Sequence, residues 1–277
     1  MVIVGLILLG LCFGSFINAL VWRVYMQSKK ENIKSKKELE KYSITKGRSM
    51  CTHCGHALSS KDLVPVFSWL FLGGKCRYCH KKIEDSPVIE VIMGLLFVGS
   101  YIFWPNELTG IEIVSFGLWL AILTGLMALV VYDFRWMILP NKIVFKLYAL
   151  TALFVILEIL KDISPSVVLS ILLSIVIGGG LFYLLFQISK GKWIGGGDVK
   201  LGFLLGALCL QPANSFLMLF LASVLGVLFI VPKMPSGKVK KNTRIPFGPF
   251  LIFSTIIVVL FGNQIIDWYL SKVLMLY

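Results

Sequence analysis

The sequence predicts an all-α polytopic membrane protein of about eight transmembrane helices, each drawing on about 20 apolar residues, with a small cytoplasmic zinc-ribbon-like insertion after the first. Three observations carry this. Hydrophobic types make up 57% of the 277 residues and charged types only 15%, against roughly 25% charged in a soluble domain, so the chain lacks the charged skin of a water-soluble globule. Its apolar residues gather in long runs. Four cysteines stand as two CxxC pairs inside the one long polar segment. The same composition excludes disordered, collagenous and small disulfide-stapled secreted chains.

The runs fall near 2–22, 88–104, 113–132, 143–160, 167–188, 199–210, 213–232 and 247–270. The alternating pattern of a barrel strand is absent, which leaves helix as the spanning structure. The first run lacks a basic n-region and a clear cleavage site, so it reads as a retained helix and not as a signal peptide. The run at 199–210 is short: twelve helical residues reach about 18 Å against a hydrocarbon core of about 30 Å. Charge decides how it is read. With eight spans and the N-terminus outside, the segments 23–87, 133–142 (with Lys146), 189–200 and 233–246 face the cytoplasm and carry 25 of the 27 basic residues, leaving out only Lys161 and Lys272. This obeys the positive-inside rule. If 199–210 did not cross, the five basic residues of 233–246 would lie outside. The expected division is 1–22, a first transmembrane helix; 23–87, a cytoplasmic basic segment and tetra-cysteine domain; and 88–277, a multi-helix transmembrane domain.

The Lys-rich stretch Ser28–Lys46 admits nucleic-acid binding. The topology favours a juxtamembrane segment lying against anionic lipid headgroups, so lipids and no nucleic acid are the expected partners. Cys51-x-x-Cys54 and Cys76-x-x-Cys79, with 21 residues between the pairs, can place four thiolates around one Zn²⁺. Four cysteines close the shell, which makes the metal a structural staple and leaves no open position for substrate. A reducing compartment argues against disulfides. His53, His56 and His80 read as surface residues, and Cys12 and Cys209 as small buried hydrophobes.

Acidic residues are few. Asp133 ends the third long run, and Asp198 follows Gly195, Gly196 and Gly197. In the topology above both lie at cytoplasmic ends of spans, where an Asp costs about 2.5–3.5 kcal/mol unless paired or functional. Two carboxyls brought together in a partly dry site cannot easily both ionise, so one holds a proton while the other acts as base. That is the requirement of aspartic proteolysis, and it needs no metal. The glycines leave room for a substrate backbone beside Asp198. An N-cap role for Asp198 and salt bridges for both residues are the competing readings, and spacing alone does not separate them. Glu90, early in the second run, is a supporting or substrate-proximal candidate.

These residues, taken together, resemble the type IV prepilin peptidase family (prepilin leader peptidase/N-methyltransferase), glycine–aspartate intramembrane proteases of the bacterial inner membrane. Gly14-Ser-Phe-Ile-Asn18 with Arg23 is similar to the opening motif, although Val24 stands where the family has Pro. Cys51-x-x-Cys54, Asp62-Leu-Val-Pro65, Ser68, Gly74-x-Cys76-Arg77-x-Cys79 and Pro87-x-x-Glu90 resemble its cysteine domain. Asp133 with Ile138-Leu-Pro140-Asn141, and Gly195-Gly-Gly197-Asp198-Val-Lys200, resemble the two catalytic motifs, and Ile245-Pro-Phe-Gly-Pro-Phe250 the loop before the last span. The resemblance implies removal of the basic leader of prepilins and pseudopilins at the cytoplasmic membrane face. In many members N-methylation with S-adenosylmethionine follows, a step associated with the cysteine domain. No glycine-rich cofactor fingerprint stands in the soluble segment, so the cofactor is implied by resemblance only. Two readings from other classes compete: a membrane thiol–disulfide carrier using the CxxC pairs, and a non-enzymatic zinc-ribbon membrane scaffold.

Overall fold

A computed structural model describes residues 1–29, 42–44, 47–83, 85–233 and 245–273. Most of the Lys-rich stretch 28–46, and of 233–246, lies outside the described residues. The helices are α1 (Val2–Lys29), α2 (Phe67–Phe71), α3 (Val88–Ile102), α4 (Ile111–Trp136), α5 (Asn141–Lys161), α6 (Pro165–Ser189), α7 (Gly196–Cys209), α8 (Pro212–Ile230) and α9 (Gly248–Lys272). Among the described residues the only β pairing is two isolated bridges. Among the described residues six helices (α1, α4, α5, α6, α8 and α9) are long and apolar enough to cross a membrane. Every apolar run of the sequence forms a helix, but two are short. The 15 residues of α3 and 14 of α7 reach about 23 and 21 Å at 1.5 Å per residue. The helix expected over 88–104 stops at Ile102, two residues before the Trp104-Pro105 pair.

The chain divides into two compact units, Met1–Ile102 and Phe103–Tyr277. In the first, α1 packs along α3. Its buried positions Gly10, Gly14, Ile17, Val21 and Val24 recur every three or four residues, the seam of a close helix pair. A Cβ added at Gly10 would lie 2.7 Å from the Gly94 backbone, and one at Gly14 would lie 2.4 Å from Glu90 Cα. Small residues are what allow this backbone approach where apolar burial alone does not hold helices together. Cys12 is exposed on α1, contrary to the buried position read from the sequence. It falls outside the seam, on a face whose apolar neighbours are also uncovered.

In the second unit α4 is the central helix, with fully buried Trp119, Ile122, Leu123, Leu126, Met127 and Leu129. The pair α6–α7 is joined by the small residues Ser174, Gly178, Gly202 and Gly206. A Cβ at Gly178 would meet Gly206 Cα at 2.7 Å, and one at Gly202 would meet Gly178 O at 2.6 Å. Ser174 Oγ donates to Gly206 O at 2.8 Å. This clamp seats the short α7. Lys161, at the end of α5, bridges Glu112 at 2.7 Å and Glu158 at 2.5 Å.

Candidate active site and metal centre

Asp133 lies in the last turn of α4, and its own carbonyl accepts the N–H of Met137 at 2.8 Å, where the left-handed Met137 (φ +53°) ends the helix. Its carboxylate is buried, with 6% of the residue exposed. Asp198 stands in the first turn of α7, and Gly195 is the N-cap. Asp198 is therefore not the N-cap weighed from the sequence. It is the third helical residue, and its carboxylate accepts the N–H of Gly195, the reach-back half of a capping box. A carboxylate there also suits the positive end of the helix dipole.

The two aspartates, 65 positions apart in sequence, lie close enough for the charge of one to act on the other. A third helix closes the site. The N–H of Gly248, at the start of α9, donates to the Asp133 carboxylate. A Cβ at Gly248 would stand 2.7 Å from Asp133 Oδ2 and 3.4 Å from Leu201 Cδ2 of α7. No larger residue fits there without moving the carboxylate.

The three glycines before Asp198 adopt negative φ, so their value is size and not backbone freedom. A Cβ at Gly197 would press on Leu139 Cδ1 at 3.1 Å, while one at Gly196 would meet only ordinary contact at 3.8 Å. Leu139 belongs to the segment that follows Asp133, so the two motifs pack on each other. Lys200 Nζ donates to Asn141 Oδ1 at 3.0 Å, and Tyr148 Oη donates to Lys200 O at 2.6 Å. Lys200 thus ties α7 to the start of α5.

The four cysteines also converge. Cys51, Cys54, Cys76 and Cys79 place their sulfurs within 4.8 Å of one another, with Cys51 Sγ 3.9 Å from Cys79 Sγ. Each pair sits on the same turn. Cys51 N–H donates to His56 O and Gly55 N–H to Cys51 O; Cys76 N–H donates to Lys81 O and His80 N–H to Cys76 O. Both turns need a left-handed residue after the second cysteine, filled by Gly55 (φ +70°) and by His80 (φ +56°).

The thiols push one another apart in acidity. Burial works against ionisation of Cys51, but the N–H groups of Cys54 and His53 and the thiols of Cys76 and Cys54 bring it down to about 7. At Cys79 the N–H of Lys81 favours the thiolate, yet burial and the other three thiols carry it up to about 11. Four thiols at this spacing form the donor set of a metal centre, which binds cysteines in their deprotonated form. His53, His56 and His80 are exposed, and His56 stacks on Tyr78 at 3.7 Å between ring centroids.

Around the cluster, Asp62 accepts from Arg77 Nε at 2.7 Å, from Tyr78 Oη at 3.1 Å and from Ser59 Oγ at 2.8 Å. Arg23 donates to the carbonyls of Ile44 and Gly47 at 3.0 and 2.9 Å. Glu90 is in this unit. Its Oε2 accepts the N–H of Val66 at 2.6 Å, a β-branched residue held at φ +61°. Gly248, Leu139 and Tyr148 are the participants that sequence reasoning assigned no role. Gly248 stood inside a quoted motif, but nothing local ties it to a residue 115 positions earlier.

The bacterial peptidase A24 N-terminal domain matches residues 8–104, and the type IV leader peptidase family matches residues 120–231. The chain is similar to a prepilin leader peptidase/N-methyltransferase of Pectobacterium carotovorum subsp. carotovorum, 31% identical over 259 residues, covering 88% of this chain and 87% of the relative. A protein of the same name from Aeromonas salmonicida (strain A449) is 29% identical, covering 96% and 93%. One from Bacillus subtilis (strain 168) is 29% identical, covering 84% and 89%. No solved structure matches the chain.

Proposed function

Because the chain belongs to the type IV leader peptidase family, we propose that Asp133 and Asp198 are the catalytic pair of a multi-pass membrane endopeptidase that removes the basic leader of prepilins and pilin-like pseudopilins. The observation that carries this is the meeting of the two carboxylates in one site, each accepting a glycine N–H. The ionised aspartate takes a proton from water as the water oxygen attacks the carbonyl carbon of the prepilin Gly. The protonated partner hydrogen-bonds the developing oxyanion, then gives its proton to the leaving amine nitrogen as the C–N bond breaks. Gly195, Gly196 and Gly197 leave space for the substrate backbone, and Lys200 holds α7 against Asn141. The test is leader cleavage of a coexpressed prepilin by wild type, Asp133→Asn and Asp198→Asn at matched expression. Near-normal cleavage by either variant would remove the pair from the mechanism.

The same reading puts the cysteine module and the aspartates on the cytoplasmic side of the inner membrane, with the N-terminus outside. Its support is the 25-of-27 partition of basic residues, to which the structure adds that Lys161, one of the two exceptions, is paired with two acids. The Lys-rich stretch then faces anionic lipid. Impermeant labelling of a cysteine placed at Ser236 in intact cells would contradict this topology.

The metal of the cysteine module is Zn²⁺ in this reading. A tetrahedron with Zn–S bonds of about 2.3 Å has edges of about 3.8 Å, near the observed Cys51–Cys79 separation. It holds the module together and takes no part in proteolysis. The relatives' name also includes an N-methyltransferase, so methylation of the new N-terminal amine follows cleavage, with S-adenosylmethionine supplying the methyl carbon.

A further inference from the structure

A cavity of about 460 Å³ lies wholly within Phe103–Tyr277, at the far end of α7 from Asp198. Eleven positions separate Asp198 from Cys209, about 16 Å at 1.5 Å per residue, so the proteolytic mechanism does not reach it. The short α7 creates the space. That helix stops where Leu210 turns left-handed (φ +61°), and the turns of α5 and α9 that carry Glu158 and Asp267 stand around its end.

Asn214, in the first turn of α8, makes this a built site. It is only 7% exposed and lines the cavity. Its Nδ2 donates to Cys209 O at 3.4 Å and to Asn263 Oδ1 at 3.2 Å, which fixes the orientation of the amide. Its Oδ1 then has no hydrogen-bond partner among the described residues. Gly262, also in the lining, keeps that oxygen clear, because a Cβ there would stand 2.6 Å from it. A buried acceptor left unpaired costs about 1–3 kcal/mol, so the oxygen marks the place of a donor.

The surroundings make that donor a cation. The lining includes Glu158 and Asp267 and no Lys, Arg or His. Lys161 bridges Glu158 and Glu112 beside it, so three carboxylates against one ammonium leave two negative charges. The C-terminal end of α7 adds the negative end of a helix dipole. Trp104 and Phe154 supply aromatic surface, which suits an organic cation. A metal ion matches less well, since among the described residues the side chains gathered closely enough to hold one are the four cysteines. The volume falls within the roughly 300–1,000 Å³ of small-molecule sites.

We propose that this cavity binds a primary ammonium group, with Asn214 Oδ1 accepting one of its N–H bonds and Asp267, with Glu158, balancing its charge. Beside a membrane such a group comes either from an ethanolamine phospholipid headgroup or from a soluble amine, and the test separates them. The full-length protein in detergent is titrated with phosphatidylethanolamine, phosphatidylcholine, phosphatidylglycerol and free ethanolamine, and bound ligand is counted by native mass spectrometry. Wild type retains phosphatidylethanolamine about tenfold more tightly than phosphatidylcholine, whose trimethylammonium keeps the charge but has no N–H to donate. Asn214→Leu abolishes the preference. Gly262→Ala, whose methyl fills the space before Oδ1, does the same. Asp267→Asn, at an exposed position, weakens retention about threefold.

Free ethanolamine that displaces the lipid at equal concentration identifies a soluble amine as the ligand, and failure to displace it identifies the lipid. Equal retention of the ethanolamine and choline lipids by wild type, or retention of phosphatidylglycerol alone, overturns the proposal. So does an unchanged preference in Asn214→Leu. Should Asn214→Leu not fold, having lost two donated hydrogen bonds, Gly262→Ala and Asp267→Asn decide, because both keep the Asn214 amide. Wild-type retention in both overturns the assignment. Leader cleavage is a separate readout, so either result leaves the aspartate pair to its own test.

Discussion

The aspartates of Phe103–Tyr277 sit where apolar helices press backbone to backbone, whereas the cysteines of Met1–Ile102 sit on two short backbone turns tied together by side chains. Asp133 and Asp198 each accept an N–H from a glycine. Gly178 seats α7 on α6 at Gly206, and Gly248 of α9 lies against both Asp133 of α4 and Leu201 of α7. In the polar module, the order comes from crosslinks: four thiols, Asp62 with Arg77, and Arg23 across two carbonyls. The difference follows from what each region can bury. Apolar helices pack along their whole length, so a missing side chain is enough to bring a polar backbone group to a carboxylate. The described stretch 47–83 has one five-residue helix and falls below the roughly 40 residues at which a chain forms its own core. It needs a metal or equivalent to stay folded.

The largest effect expected from breaking this contrast is chemical. Asp133→Asn and Asp198→Asn each lower leader cleavage by about 10³-fold or more, and the double variant is little worse, because the two act as a unit. Both single variants keep a near-normal thermal transition, since each retains its glycine N–H. A double variant that loses the product of the single losses would show that the carboxyls act independently.

Removal of the metal follows. Cys76→Ser, or chelation of the wild type, brings zinc from about one per chain to near zero. It exposes residues 47–83 to limited proteolysis and leaves α4 to α9 resistant. A module that stays protease-resistant without metal would show that its hydrogen bonds suffice.

Gly248→Ala tests the backbone half directly. The new methyl overlaps Asp133 Oδ2 at 2.7 Å, and a carboxylate displaced by under 1 Å lowers cleavage by about 10- to 100-fold. Zinc content does not change. Wild-type cleavage in Gly248→Ala would mean that α9 moves away at little cost, and the proposed role of its N–H would lapse.

The two halves were also unequally legible in the sequence. Apolar runs locate the helices because burial in lipid acts on composition alone, and paired CxxC spacing locates the four-thiol cluster because each pair builds its own local turn. The dyad was harder. Asp198 after three glycines permits several helix starts, and only the fold decides that Gly195 caps and Asp198 reaches back. The Gly248 contact joins residues on α4 and α9, and no local pattern encodes it. The C-terminal end of α3 was placed two residues too far because a composition window cannot see where backbone geometry stops a helix. Asn214 was visible as a polar residue in an apolar run, but its unpartnered oxygen is a property of packing.

Within the module, the two matching turns allow a smaller test. Gly55→Ala places a Cβ at φ +70° and destabilises by about 1 kcal/mol. His80→Gly relieves the same strain at φ +56° but frees the unfolded chain, so the two terms, each about 1 kcal/mol or less, nearly cancel. Urea titration of zinc-loaded protein compares them. Equal losses at the two turns would mean that His80 contributes a contact beyond its backbone.

The smallest effect concerns Asp62. Its side chain is 3% exposed while that of Arg77 is 50% exposed, so the ion pair alone is modest. Burial opposes its charge, but Arg77, Ser59 and Tyr78 outweigh this and hold the carboxyl down to about 2, below the roughly 3.9 of an unfolded chain. A group whose acidity is strengthened on folding stabilises fully above its unfolded value, and the contribution is lost as pH falls through the folded one. Asp62→Asn therefore costs about 1 kcal/mol of module stability at neutral pH, the scale of one or two hydrogen bonds. The wild-type advantage stays constant from about pH 8 to 5 and shrinks between about 4 and 2. Thiolate protonation and metal release act on both proteins alike, so the difference between them isolates the carboxyl. An advantage that instead decays between about pH 7 and 5 would show that the Asp62 carboxyl is not the group responsible.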